Sequence, residues 1–168
     1  LVVEDGQMDS YRNANDWNEV EFEDYNVIVL AAGQRQGFSQ QYNNNYDRFC
    51  EYIEGGGAAY FETHDPNSPI HSPGDIVNNT QHRTEAGRLV VSPNPDDENY
   101  SLFAEICHES QQNNWEEGEA IEGSAWLHSA YTEDQFQNGV EDGTLEWYQV
   151  LAMASNNQPG AIAYGYGR

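Results

Sequence analysis

Short apolar runs alternate with amphipathic segments over the first third of the chain. The run Val27–Ala32 is apolar at every position, which is typical of a strand that is covered on both faces in a parallel sheet. Apolar residues then recur at helical spacing over 41–54, three glycines follow, and Ala58–Phe61 forms the next apolar run. This order predicts a strand, a helix ended by glycine and a second strand that together form a βαβ unit.

The same pattern continues less regularly to the end of the chain. Residues 64–87 contain three prolines and little periodicity, so we expect one long irregular surface excursion there. Thr132 and Gln135 have the spacing of a capping box at a helix start. The other predicted elements are a strand at Leu1–Val3, a helix from Asp9 or Ser10 through Trp17, a strand at Leu89–Val91, a helix over Pro95–Cys107, a strand around Ala120–Ile121, a helix that breaks near Gly139 or Gly143 and resumes over Leu145–Ala154, and a strand at Gly160–Tyr164.

The alternation predicts an α/β fold with three layers, a mostly parallel central sheet flanked by helices. No internal repeat or composition break divides the chain, so we predict a single domain over 1–168 with the excursion at about 64–87. In this class, ligands bind where the carboxyl ends of the strands meet.

The charge restricts the partners of this protein. The 168 residues include 29 acidic and six basic ones; all six are arginine, and the formal net charge is −23. A negative potential of this size excludes nucleic acid and anionic membranes as partners and favours bound cations. No apolar run approaches the roughly 20 residues of a membrane-spanning helix, so no membrane insertion is predicted. The 17 Asn and 12 Gln residues point to a mesophilic extracellular setting.

Cys50 and Cys107 are the two cysteines, and each lies in a predicted helix. They form no C-x-x-C motif, so a zinc site is not predicted. Two buried thiols and a single disulfide are both compatible with this pattern.

Acidic residues at the predicted strand ends are the candidate metal ligands. Asp5, Glu62 and Asp65 could supply oxygen ligands to calcium or another cation, whereas a hydrated acidic rim is the alternative, because the spacing is scattered and no EF-hand-type loop occurs. His64 and His71 in the excursion could line a pocket, and Glu62 with His64 would then form a hydrolase site. The chain has neither a G-x-S-x-G nor an H-E-x-x-H motif, and surface histidines are the alternative.

Two further features suit an exported protein. Asn78 and Asn99 begin N-x-[ST] acceptor sequences for N-glycosylation, a motif that chance also produces in a chain rich in Asn. Trp115, Trp126 and Tyr131 could stack on sugar rings if they are exposed, whereas packing in the core is the alternative.

Several stretches resemble the class I glutamine amidotransferase-like superfamily, in its secreted branch. They are LVVEDGQ, DSYRNA, DYNVIVLAAGQ and YDRFCEYIEGGGAAYFET, followed by weaker similarity at GRLVVSPNP and GAIAYGYG. The resemblance implies a flavodoxin-like fold. In the enzymes of that superfamily a cysteine nucleophile follows the strand that corresponds to Ala58–Glu62; here the turn reads Phe61-Glu-Thr-His-Asp65 and lacks a cysteine.

The sequence therefore predicts a non-catalytic extracellular structural or interaction module, such as a subunit of a surface assembly or fibre. Its expected partners are further copies of itself, other surface proteins or glycans. Two alternatives remain: a hydrolase of sugar or peptide that uses Glu62 and His64, and a carbohydrate-binding module.

Overall fold

The protein is described by a computed structural model that forms two compact units. The first comprises residues 1–79 with 166–168, and the second comprises residues 80–165. The described residues are 2–4, 7–9, 17–30, 36–61, 71–77, 80–84, 88–92, 96–98, 100–101, 127–153 and 157–167.

The first unit contains a four-stranded sheet. Its strands are β1 (Val2–Glu4), β2 (Gln7–Asp9), β3 (Val27–Leu30) and β4 (Ala58–Phe61), in the order β2-β1-β3-β4. β1 pairs antiparallel with both β2 and β3, while β3 and β4 run parallel with Val27 opposite Ala58 and Leu30 opposite Phe61.

Two helices connect β3 to β4, where the sequence predicts one over 41–54. They are α1 (Gln36–Asn44) and α2 (Tyr46–Glu54), and Asn45 separates them. The Asn45 side-chain amide donates to the Gln41 carbonyl at 2.9 Å. Asparagine competes in this way with the helical backbone, which accounts for the break. The predicted glycine terminus is confirmed, because the Gly55 N–H donates to the Glu51 carbonyl after α2 ends.

The core of the first unit is aromatic. Tyr42 and Phe49 are fully buried, and their ring centroids lie 5.4 Å apart. A 3-10 turn at Phe22–Asp24 adds a buried ring to the same cluster. Large rings at edge-to-face angles replace the aliphatic volume that this acidic chain lacks. The buried members are Trp17, Val20, Phe22, Tyr25, Ile28, Leu30, Tyr42, Phe49 and Tyr52.

The predicted irregular excursion contains regular structure. A hairpin of β5 (His71–Ser72) and β6 (Ile76–Val77) belongs to the first unit, and β7 (Thr80–Thr84) follows it. The Tyr42 hydroxyl donates to the His71 carbonyl at 2.6 Å, and this hydrogen bond links the hairpin to α1.

The described residues of the second unit form two small sheets and one helix. β7 pairs antiparallel with β9 (Leu127–Ala130), and the second sheet has the order β11-β10-β8, where β8 is Arg88–Leu89, β10 is Leu145–Met153 and β11 is Pro159–Tyr166. α3 (Glu133–Asp142) packs on this sheet through Phe136, which is 1% exposed and contacts the rings of Tyr148 and Tyr164.

The predicted start of α3 is confirmed, but the hydrogen bond at the N-cap joins two side chains and does not involve the backbone bonds of a capping box. Thr132 is the N-cap residue, and the Gln135 side-chain amide donates to its hydroxyl at 2.9 Å. The helix ends at Gly143, whose φ of 82° is the left-handed conformation that glycine adopts at low cost.

The predicted fold class is wrong. In the described residues the strands form small sheets, two of them antiparallel, and β3 with β4 is the only parallel pair of strands. A three-layer, mostly parallel flavodoxin-like sheet is therefore not what these strands form. The apolar run of β3 predicts a strand that is covered on both faces in a parallel sheet. In the structure Ile28 and Leu30 are buried while Val27 and Val29 are half-buried, and one of the two neighbouring strands is the antiparallel β1.

Two local predictions are also wrong. Residues 145–153 form β10 and not a helix, because they pair with a strand on each side in the order β11-β10-β8. Asp9 is the last residue of β2, and residues 10–16 of the helix predicted through Trp17 lie outside the described residues. Asp96–Glu98 form a turn, and Ser92 bridges Tyr100 in parallel, so no helix begins at Pro95 and continues through Tyr100. The predicted strand around Ala120–Ile121 lies outside the described residues.

Candidate functional site: two uncharged strand edges

The predicted sites can be compared with the structure only in part. Asp5, Glu62, His64, Asp65, Asn78 and Asn99 lie outside the described residues, as do Cys107, Trp115 and Trp126. Among the residues that are described, no group of three or more His, Cys, Asp or Glu side chains could hold a metal ion. The calcium, hydrolase and glycosylation hypotheses therefore remain predictions.

Two predicted site residues are described, and both pack against other rings. His71 is exposed in β5, and its ring lies edge-on to Tyr46 at a centroid distance of 6.4 Å. Tyr131 is half-buried with its ring 5.7 Å from Phe136. Tyr131 therefore packs in the core of the second unit, which was the alternative to sugar stacking.

Cys50 does not have the environment of a nucleophile. It is a free, buried thiol on α2, whereas the second cysteine of the prediction, Cys107, lies outside the described residues. Burial raises its pKa above the usual range, more than hydrogen bonds with Tyr46 and Tyr166 lower it. A thiol that stays protonated at neutral pH is a weak nucleophile, so Cys50 is a packing residue.

The Tyr166 hydroxyl joins this buried cluster. It hydrogen-bonds with the side chains of Cys50 and Glu54, and burial is the main cause that raises its pKa to about 12. Burial also raises the pKa of Tyr46 above its ordinary value, chiefly because the ring is desolvated. These hydroxyls remain neutral across the physiological range.

Alkaline conditions should therefore destabilise the first unit in a way that depends on Tyr166. The pKa of Tyr166 in the folded protein is higher than the value of about 10 in the unfolded chain, so the unfolded chain loses the proton at a lower pH. The contribution of the neutral Tyr166 hydroxyl to stability is therefore complete below about pH 10 and is lost as the pH rises through about 12. We expect the free energy of unfolding, measured in urea at pH 8 and pH 11, to fall less for Tyr166→Phe than for the unmodified protein. Equal decreases would contradict the assignment.

The first candidate surface is the edge strand β4. Among the described residues β4 is the last strand of its sheet, and residues 55–61 carry no charge. The Ala58 N–H donates to the Asn26 carbonyl beside β3, so strand alternation directs the backbone groups of Ala59 and Phe61 away from β3. Phe61 packs on the aromatic core, whereas Tyr60 is 56% exposed.

The face that Tyr60 shares is apolar as well. Val29 lies opposite Tyr60 and Val27 lies opposite Ala58 in the register of β3 and β4. Both valines are half-buried, while the alternate residues Ile28 and Leu30 are buried in the core. The sheet edge thus presents apolar side chains and backbone hydrogen-bonding groups without a carboxylate.

The second candidate surface lies on β10 and β11. Residues 147–167 contain no charged side chain, although the chain as a whole is 21% charged. Trp147 is 43% exposed, and a Cβ added to Gly165 would lie 2.5 Å from its Nε1 atom. Glycine is therefore required at 165 for the indole to lie across β11. The uncharged segment can be read from the sequence. Because a helix is predicted over 145–154, however, the sequence does not identify this segment as part of a sheet edge.

No protein-family model, curated protein or solved structure matches this chain. The resemblance to glutamine amidotransferase-like proteins thus remains a prediction. In the parts of the chain that the structure describes, no helix has the length and hydropathy to cross a membrane.

Proposed function

We propose that this protein is a non-catalytic extracellular interaction module that associates with further copies of itself through the edge strand β4. The observation that carries the proposal is the absence of charge over 55–61 at a sheet edge, in a chain with a net charge of −23. Soluble proteins usually protect such edges with charged residues or proline. β4 has neither.

A second copy is the partner that suits this edge. Strand addition uses backbone hydrogen bonds and apolar side chains, and the exposed Tyr60 with its neighbours Val27 and Val29 supplies the apolar part. Carboxylates elsewhere on the two copies repel one another, and salt reduces that repulsion because the Debye length falls to about 8 Å at 0.15 M. Association should therefore increase with ionic strength.

The proposal predicts that a charge on β4 blocks association. We expect Tyr60→Glu to raise the dissociation constant of the self-complex about tenfold or more, because two like charges would face each other across the added strands. Sedimentation velocity over a range of NaCl concentrations measures this. A CaCl2 series at matched ionic strength separates screening from specific calcium binding.

Val140→Glu is the matched control. Val140 is 36% exposed on α3, so the substitution adds the same negative charge on a different element, in the second unit. The dissociation constant of the self-complex of this variant should differ from that of the unmodified protein by less than about twofold. A monomer at every salt concentration, or equal effects of the two substitutions, would contradict the proposal.

A further inference from the structure

A second edge strand has surroundings that suit a different partner. In the sheet order β11-β10-β8, β11 has β10 on one side, and no described strand pairs with its other side. The strand Pro159–Tyr166 carries no charge, and its only proline is the first residue, where a missing N–H is tolerated. β11 therefore offers an edge along which an extended segment could hydrogen-bond.

Trp147 makes this edge distinctive. Phe136 of α3 covers Tyr148 and Tyr164 on one face of the sheet, and strand alternation places Trp147 and Gly165 on the opposite face. The indole crosses β11 at Gly165, where a larger residue would collide with it. A side chain on a strand added beside Gly165 would consequently lie next to the indole.

The charge of the second unit indicates that the side chain of an added strand next to the Trp147 indole is positively charged. Residues 80–165 include 15 acidic residues and two arginines, so their field attracts cations. The face of a tryptophan ring binds arginine and lysine more strongly than other aromatic rings do.

We infer that β11 binds a basic extended peptide by strand addition, with an arginine or lysine side chain against Trp147. The backbone of β11 supplies the hydrogen bonds, and the uncharged segment 147–167 presents no carboxylate that would have to be desolvated beneath the added strand. The acidic surroundings attract the peptide from a distance. This partner and surface differ from those of the proposed self-association.

The test is calorimetric titration of the full chain with an eight-residue peptide of alternating arginine and threonine. We expect saturable binding that weakens as NaCl is raised, together with slower hydrogen exchange of the β11 amides at 160–165. A peptide of alternating arginine and proline keeps the charge but disfavours strand pairing, so it should bind at least about tenfold more weakly.

Two variants separate the Trp147 contact from general charge attraction. Trp147→Leu keeps an apolar side chain over Gly165 and should lower the affinity for the arginine–threonine peptide about fivefold to tenfold. Tyr60→Leu, which alters an exposed aromatic residue of β4, should leave the affinity unchanged. Equal binding of both peptides, or equal affinity of both variants, would overturn the inference.

Other occupants would also be recognised in this experiment. Protection of 160–165 in a concentrated sample without peptide would assign β11 to a second copy. Saturable binding of a neutral oligosaccharide that Trp147→Leu abolishes, without peptide binding, would assign it to glycans. Either result overturns the inference. Because peptide binding should weaken with salt and self-association should strengthen with it, either can fail without the other.

Discussion

Replacing Arg48 by methionine should destabilise the first unit by about 2–4 kcal/mol. The guanidinium of this α2 residue donates from Nη1 to the Trp17 carbonyl at 3.2 Å and from Nη2 to the Val20 carbonyl at 2.9 Å. It also lies 4.7 Å from the centroid of the Phe22 ring. Methionine keeps much of the volume but leaves both carbonyls without this donor. Urea unfolding followed by circular dichroism measures the loss.

Arg48→Lys is the control that separates charge from geometry. Lysine keeps the positive charge and its attraction to the Phe22 ring, but one ammonium group lacks the planar fork that bonds both carbonyls. We expect a smaller loss, of about 1–2 kcal/mol. If Arg48→Lys had the stability of the unmodified protein, the positive charge alone would explain the role of Arg48. The two hydrogen bonds from its guanidinium to the Trp17 and Val20 carbonyls would then not contribute to the free energy of unfolding.

The elements around β4 were the most accurately predicted from the sequence. β4 itself, the glycine terminus of α2 and the parallel pairing with β3 all follow from local signals, namely an apolar run and three consecutive glycines. Such signals act within a few residues and do not depend on the rest of the fold.

The errors arose where pairing partners decide the structure. Nothing within Leu1–Val3 specifies whether β1 runs parallel or antiparallel to β3, and the structure shows the antiparallel arrangement. Likewise, Leu145–Met153 contains apolar residues at spacings that suit either a helix or a strand. Its neighbours β8 and β11 select the strand, and tertiary pairing overrides local periodicity.

The candidate surfaces were also missed for a physical reason. The sequence search looked for acidic and histidine side chains because they carry chemistry, whereas both surfaces are defined by the lack of charge. The stretch 147–167 is the longest uncharged stretch of the chain, and 55–61 is a shorter one. In the described sheets these stretches contain the edge strands β11 and β4, where the absence of carboxylates affects association directly.

The second large effect is expected for Phe49→Ala. Phe49 is fully buried, and its ring centroid lies 5.4 Å from that of Tyr42 and 5.5 Å from that of Phe61. Alanine would remove these contacts and leave a cavity that the surrounding rigid rings cannot fill. We expect a loss of about 4 kcal/mol in the free energy of unfolding, measured in urea.

Phe38→Ala removes the same atoms from a half-buried site and is the matched control. The Phe38 ring packs on Trp17 at the periphery of the cluster, with a centroid distance of 5.4 Å. Its loss should cost about 1–2 kcal/mol, since solvent already reaches the ring and no closed cavity forms. Equal losses for the two variants would mean that Phe49 is not at the centre of the aromatic core. Because β4 is held against that core through Phe61, Phe49→Ala should also weaken self-association at β4, whereas Phe38→Ala should not.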